Sequence, residues 1–142
     1  YINRCKKLEF IEPFKITVLV LGLLALTFLL QLLIVDIVGL KSGHEPGHPI
    51  PANHNDALFR VARAISNTNE SVRIFILAVI FSIFSSASPE WLSYGTLVYL
   101  AGRVGHMVFY YSNLKSLRSI AFGISLIGLA GVLVVGFVPW FY

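Results

Sequence analysis

Two sets of polar and ionisable side chains recur at helical spacing in this chain. Arg60, Arg63, Asn67 and Glu70 stand 3, 4 and 3 residues apart, and Tyr99, Arg103, His106 and Tyr110 stand 4, 3 and 4 apart. At about 100° per residue, the first set covers roughly 80° of a helix surface and the second roughly 60°. The first stripe runs directly into the apolar stretch from Ile74 to Phe84. Charge is thus carried toward membrane depth, where ionisable groups face a bundle interior, pair with each other or hold a ligand. Cations are in excess, because Glu70 is one carboxylate among Arg60, Arg63, Arg73, Arg103 and Arg118. After Glu70 pairs with one of them, positive charge remains to be neutralised. The chemistry that fits is capture of an anionic, peptide-like molecule, with an arginine fork clamping a carboxylate and Glu70 accepting from an ammonium. The competing reading is a buried polar network that only fixes helix register.

The elements that must position these stripes follow from composition. The chain has 142 residues, of which 56% are hydrophobic and 13% charged, too apolar for a soluble domain of this size and too short for two domains. A single multi-pass domain over residues 1–142 is expected. Phe14 to Leu40 is a first span, nearly uniform in Leu, Val and Ile, interrupted by Gln31 and Asp36. Its length marks a spanning helix rather than a signal peptide. Asp36 is either a solvated carboxylate at the interface or a partner for an arginine of the next helix. That helix is expected from about residue 57 to Phe84, with Asn55 or Asp56 as its N-cap. Ser85 to Glu90 breaks the chain, and a third helix runs from Trp91 to about Asn113. A fourth spans about 118–138 and ends in the aromatic Pro-Trp-Phe-Tyr. Gly123, Gly128, Gly131 and Gly136 are expected to permit close helix packing. Short turns force antiparallel neighbours, so the predicted fold is all-α, a four-transmembrane-helix antiparallel bundle.

Several classes of function are excluded or disfavoured. The net charge of +4 is scattered and no Lys/Arg run is interleaved with aromatics, which argues against nucleic-acid binding. Cys5 is the single cysteine, leaving no intrachain disulfide and no cysteine-based metal site. His44, Glu45, His48 and His54 lie in a Gly/Pro-rich loop over residues 41–56, whose turn chemistry needs no metal to explain it. No helix is interrupted by an unwound Gly/Pro pair, which weighs against a transporter. Flanking cations leave the orientation open: if the stripe arginines are discounted as site residues, the basic Arg4, Lys6 and Lys7 favour a cytoplasmic N-terminus, and if they are counted the balance reverses.

Arg63-Ala-Ile-Ser-Asn67-Thr-Asn-Glu70, then Gly102-Arg103-Val-Gly-His106, then Tyr110 followed by Leu-Lys-Ser-Leu-Arg118-Ser, together resemble the MAPEG family, the membrane-associated proteins of eicosanoid and glutathione metabolism. The likeness is closest to its microsomal prostaglandin E synthase and microsomal glutathione transferase branch and covers about residues 56–125. It implies a homotrimer that binds glutathione between adjacent subunits. By position, Arg63, Asn67 and Glu70 would hold the tripeptide, with Glu70 at its amino end, while Arg103, His106 and Tyr110 would contact its other polar groups. Arg118 would be catalytic, standing beside the thiol. A free thiol of pKa about 8.5 is mostly protonated at neutral pH, and a fixed cation favours the thiolate.

The chain departs from the prostaglandin synthase at Phe122, where that enzyme has a tyrosine. The turn before Arg118 is also one residue shorter, and Arg73 is an added cation with no family role. The implied activity is therefore the broader one: a glutathione-dependent transferase or peroxidase acting on a lipophilic electrophile or lipid hydroperoxide from the bilayer. The implied location is a bacterial inner or endoplasmic-reticulum-type membrane. The alternative is a non-catalytic member that binds a lipid or a partner subunit. Retention of Arg118 together with Arg63, Asn67 and Glu70 favours the enzyme.

Overall fold

The computed structural model describes residues 9–142; the basic cluster Arg4, Lys6 and Lys7, and Cys5, lie outside them. Four long helices make up the described chain: α1 (Lys15–Lys41), α2 (Ala57–Phe84), α3 (Pro89–Tyr111) and α4 (Lys115–Phe137). Short 3-10 turns, Glu12–Phe14 and Val138–Trp140, flank the bundle, and no strand occurs among the described residues. Three helices, α1, α2 and α4, are long and apolar enough to cross a membrane.

Helix α1 shows why the bundle is arranged as it is. Its buried residues are Thr17, Val20, Leu24, Thr27 and Gln31, a single seam at the 3-4 repeat of helices packed at shallow angles. Most of its leucines and isoleucines point outward. In lipid, outward Leu and Ile lose nothing, and it is the polar side chains that gain by facing protein. Gln31 accordingly is fully buried and donates through Nε2 to Thr68 Oγ1 on α2 at 3.2 Å. Asp36 is exposed and pairs with no arginine among the described residues.

The turns differ slightly from expectation, each for a local reason. Asp56 caps α2, its carboxylate accepting from the Leu58 amide at 3.0 Å. Helix α3 begins at Pro89 rather than Trp91, because proline at the first helical position has its φ preset and needs no amide partner. It ends at Tyr111 instead of Asn113, because Asn113 adopts a left-handed φ of 57° and turns the chain. Helix α4 then starts at Lys115, three residues before the expected Arg118.

Helices α3 and α4 approach most closely, and glycines set that distance. A Cβ on Gly128 would run into the backbone nitrogen of Tyr99, and one on Gly102 would sit 2.5 Å from the nitrogen of Ser125. Gly136 lies similarly against Ser82 on α2. Gly123 and Gly131, expected to share this role, have nothing within 4 Å where a Cβ would project. They lie off the packing seam. Replacing Gly128 by alanine should therefore destabilise the bundle by about 1–3 kcal/mol through overpacking. Gly123→Ala should leave the melting temperature unchanged. Thermal unfolding in detergent would check both, and equal melting of the two variants would remove Gly128 from this role.

The seam closes on an apolar core in which the Tyr99 ring stacks on Phe75 with centroids 3.9 Å apart. At the opposite end from the 41–56 loop, Trp140 donates from Nε1 to Ser85 Oγ at 2.8 Å and its ring stacks near Phe81. The C-terminal turn is thereby tied to the end of α2. Trp91 stays 64% exposed at the start of α3, as suits an interfacial ring.

Candidate functional site

The second polar stripe is turned fully inward. Tyr99, Arg103, His106 and Tyr110 are all buried along one face of α3, opposite α2 and α4. Tyr99 serves the packing of the bundle, since its hydroxyl lies 2.8 Å from Ser71 Oγ while its ring packs on Phe75. The next residue of the stripe is different. Arg103 is wholly buried, and its Nη1 donates to Asn67 Oδ1 at 2.7 Å and more weakly to the Asn67 carbonyl at 3.4 Å. Its guanidinium sits between the rings of Tyr99, at 5.6 Å, and Phe122, at 5.1 Å. Cation–π contacts of this kind contribute about 0.5–2 kcal/mol each. They do not replace hydrogen bonds, and Nε and Nη2 of Arg103 have no acceptor among the described residues.

The remaining groups show the same deficit. His106 packs its ring against Tyr110 and Phe122, with centroids 5.3 and 6.0 Å away, and its buried Nδ1 has no partner among the described residues. Arg118 enters from α4, its guanidinium 4.5 Å from the centre of the Tyr110 ring, and its buried Nη1 is likewise unpartnered among them. Asn67, His106, Arg118, Ser119 and Phe122 line a cleft of about 180 Å³. Buried donors without acceptors are costly, about 1–3 kcal/mol each and more when charged. Arg118 brings one such donor to the cleft wall and His106 an unpartnered ring nitrogen among the described residues, with the Arg103 cation behind Asn67, so the cleft suits a molecule bringing hydrogen-bonding groups and negative charge.

Arg63 and Glu70 stand apart from this cleft. They pair with each other at 3.3 Å on the outer surface of α2, with side chains 45% and 60% exposed. Arg63 also donates to Ser66 Oγ at 3.3 Å, and Arg73 is exposed one turn further along. Asn67 lies at the edge where the outer face meets the cleft. Arg60, from the same stripe, holds the loop: Nη1 donates to the carbonyls of His54 and Asn55 at 2.9 and 3.0 Å, and Nε to that of Tyr111 at 3.3 Å. In the loop, His48 and Glu45 form an exposed pair at 3.3 Å, and no group of three or more metal-ligating side chains forms among the described residues.

Two contributors to the site were not legible as such in the sequence. Ser119 lines the cleft one residue after Arg118, but a serine at a helix start carries no signal of its own. His54 reaches Tyr110 with Nε2 3.3 Å from the phenol oxygen, a contact that no helical periodicity encodes.

Inward-turned polar groups and outward leucines define a helical membrane protein with a cationic internal cleft. The sequence pattern of the MAPEG family matches residues 16–138, and the chain belongs to that family. No curated protein matches it.

Proposed function

We propose that this protein is a glutathione-dependent membrane enzyme of the transferase or peroxidase type, nearest in kind to the microsomal prostaglandin E synthase and glutathione transferase branch. The observation that carries this reading is a cleft lined by His106 and Arg118, each with a buried, unpartnered nitrogen among the described residues, with the part-paired Arg103 held against the cleft residue Asn67. Glutathione fits them, since it carries carboxylates at both ends, peptide carbonyls between, and net negative charge. When bound, it supplies a thiolate able to attack a lipophilic electrophile or hydroperoxide arriving from the bilayer.

The chain's own residues divide the work. Asn67 and the buried Arg103 face the peptide's acceptors, and His106 offers Nδ1 as a further hydrogen-bonding group. Tyr110 supports the Arg118 guanidinium on its ring face. Arg118 is the catalytic residue, placed to favour the ionised thiol by its fixed charge. Glu70 is the counter-charge for the ammonium, and Arg63 holds Glu70 in place.

A cleft of about 180 Å³ is too small to enclose a tripeptide, so the ligand extends past Asn67 to the outer face of α2. That face carries Arg63, Ser66, Glu70 and Arg73, all exposed, and lipid is a poor cover for such a stripe. A second copy of the chain covers it in our reading, which supports the homotrimer. Helix α3 crosses the membrane with the other three, its lower apolarity explained by the stripe it turns inward. The 142 residues then form one integral-membrane domain.

The decisive experiment is difference absorbance near 240 nm while glutathione is titrated into detergent-solubilised protein at neutral pH. A saturable thiolate signal is expected. No signal, together with no protection against heat, would transfer the assignment to a non-catalytic lipid- or partner-binding member of the family. Glu70→Gln, which removes the ammonium's counter-charge, should weaken glutathione binding about tenfold, allowing for the exposure of the carboxylate. Unchanged affinity in calorimetry would remove Glu70 from that role.

A further inference from the structure

His54 belongs to the loop between α1 and α2, yet its side chain reaches Tyr110, whose ring carries the cleft residue Arg118. Its Nε2 lies 3.3 Å from the Tyr110 hydroxyl, and the two rings lie 6.0 Å apart at an interplanar angle of 27°. The imidazole also packs edge-on against Phe59 of α2 at 4.9 Å. Its backbone is clamped as well, because Arg60 takes the carbonyls of His54 and Asn55 with one nitrogen while reaching the Tyr111 carbonyl with another. Side chain and main chain are thus both fixed onto the C-terminal end of α3. So much constraint on a loop residue is unusual, since loops normally carry few such ties.

What His54 grips is the platform of the site. Tyr110 has the Arg118 guanidinium over its ring and the His106 ring against it. Whichever group donates, a ring held at its hydroxyl is restrained from tipping, and that steadies the seat of a cation on its face.

We propose that His54 is a positioning residue: by holding the Tyr110 hydroxyl, it fixes the ring on which the Arg118 guanidinium is aimed into the cleft. The inference rests on the glutathione reading above for its functional consequence, though not for the contact itself. The charged and titratable groups around His54 are Tyr110 and, across its ring, His106 and Arg118; Arg60 is engaged with backbone carbonyls. No metal is needed for this role.

His54→Ala should reduce the thiolate absorbance at saturating glutathione, and turnover with it, by roughly 3- to 10-fold, the span of one net hydrogen bond. Glutathione affinity should change less than about twofold, because His54 meets Tyr110 rather than the ligand. His54→Gln, whose amide reaches the position of Nε2, should restore most of the signal. In a Tyr110→Phe background, which lacks the hydroxyl, the His54→Ala effect should vanish. The contact has its own readout in the ligand-free protein. The imidazole nitrogen resonance of His54, identified by its loss in His54→Gln, should shift when Tyr110 becomes phenylalanine. An unmoved resonance, or an equal His54→Ala effect with and without the Tyr110 hydroxyl, would overturn the proposal. So would a full thiolate signal in His54→Ala. A shifted resonance in a protein that shows no thiolate signal at all would sink the glutathione reading, and the functional consequence of the His54 contact with it.

Discussion

Arg118→Ala is expected to lower turnover about 100-fold or more while leaving glutathione affinity within a few fold. Removing one fixed donor from a catalytic charge site typically costs 10²–10³ in rate, and the proposed function gives Arg118 that role. Its guanidinium is seated 4.5 Å above the Tyr110 ring and its Nη1 is buried without an acceptor among the described residues. Affinity should survive because the proposed function leaves Asn67, Arg103 and His106 to hold the peptide. Arg118→Lys separates charge from shape: an ammonium keeps the positive charge but loses the planar stack and the fork, so an intermediate rate is expected. The comparison needs turnover with a lipophilic electrophile alongside a glutathione titration on the same preparations. Intact turnover in Arg118→Ala would show that another group favours the thiolate, with His106 the next to test.

Asn67→Ala should have the largest effect on the protein itself. Asn67 Oδ1 is the one close side-chain acceptor of the wholly buried Arg103 among the described residues, at 2.7 Å. Hydrogen bonds to charged groups contribute about 1.5–3 kcal/mol, and leaving a buried charge unpaired adds to the loss. A drop of roughly 5–10 °C in melting temperature follows for a chain of this size. Asn67→Asp is the informative companion. The carboxylate retains the oxygen and neutralises Arg103, so the fold should hold, while glutathione affinity should fall because the excess positive charge is spent internally. If Asn67→Ala melts with the unsubstituted protein, Arg103 relies on other partners and the cleft is less strained than its unpaired donors imply.

Phe122 bears on the same balance. Its ring covers the Arg103 guanidinium at 5.1 Å and touches His106, so it keeps the cation dry without offering a hydrogen bond. Arg103 and His106 therefore keep unpartnered nitrogens beside Phe122 among the described residues. Arg73 has a different environment, exposed on the outer face of α2 with Arg63 and Glu70, where only another polar surface can accept it.

The periodic features of this protein were determined by the sequence alone. Stripes at 3- and 4-residue spacing identified which faces of the second and third helices are polar, because helical geometry converts spacing into direction without reference to any neighbour. Run length and Gly/Pro punctuation placed the four helices to within about three residues at each end, and the exceptions were local: Pro89 and Lys115 extend α3 and α4 toward their N-termini, and Asn113 ends α3 early. The motif residues on α2 and α3 were sufficient to suggest the family to which the chain belongs. What spacing does not carry is the identity of the neighbour. Only the tertiary structure separates Arg60, spent on loop carbonyls, from Arg63, paired on the outside, and from Arg103, buried against Asn67. Three arginines that look alike in sequence have three different partners: Arg63 pairs seven residues along its own helix, while Arg103 and Arg60 reach groups 36 and 51 residues away that only helix packing brings near. The same holds for Gly128 and Gly123, alike in composition, of which one meets the Tyr99 backbone and the other meets nothing. His54 is the extreme case: a loop residue has no periodicity to read, and its place beside Tyr110 exists only once α2 and α3 are packed.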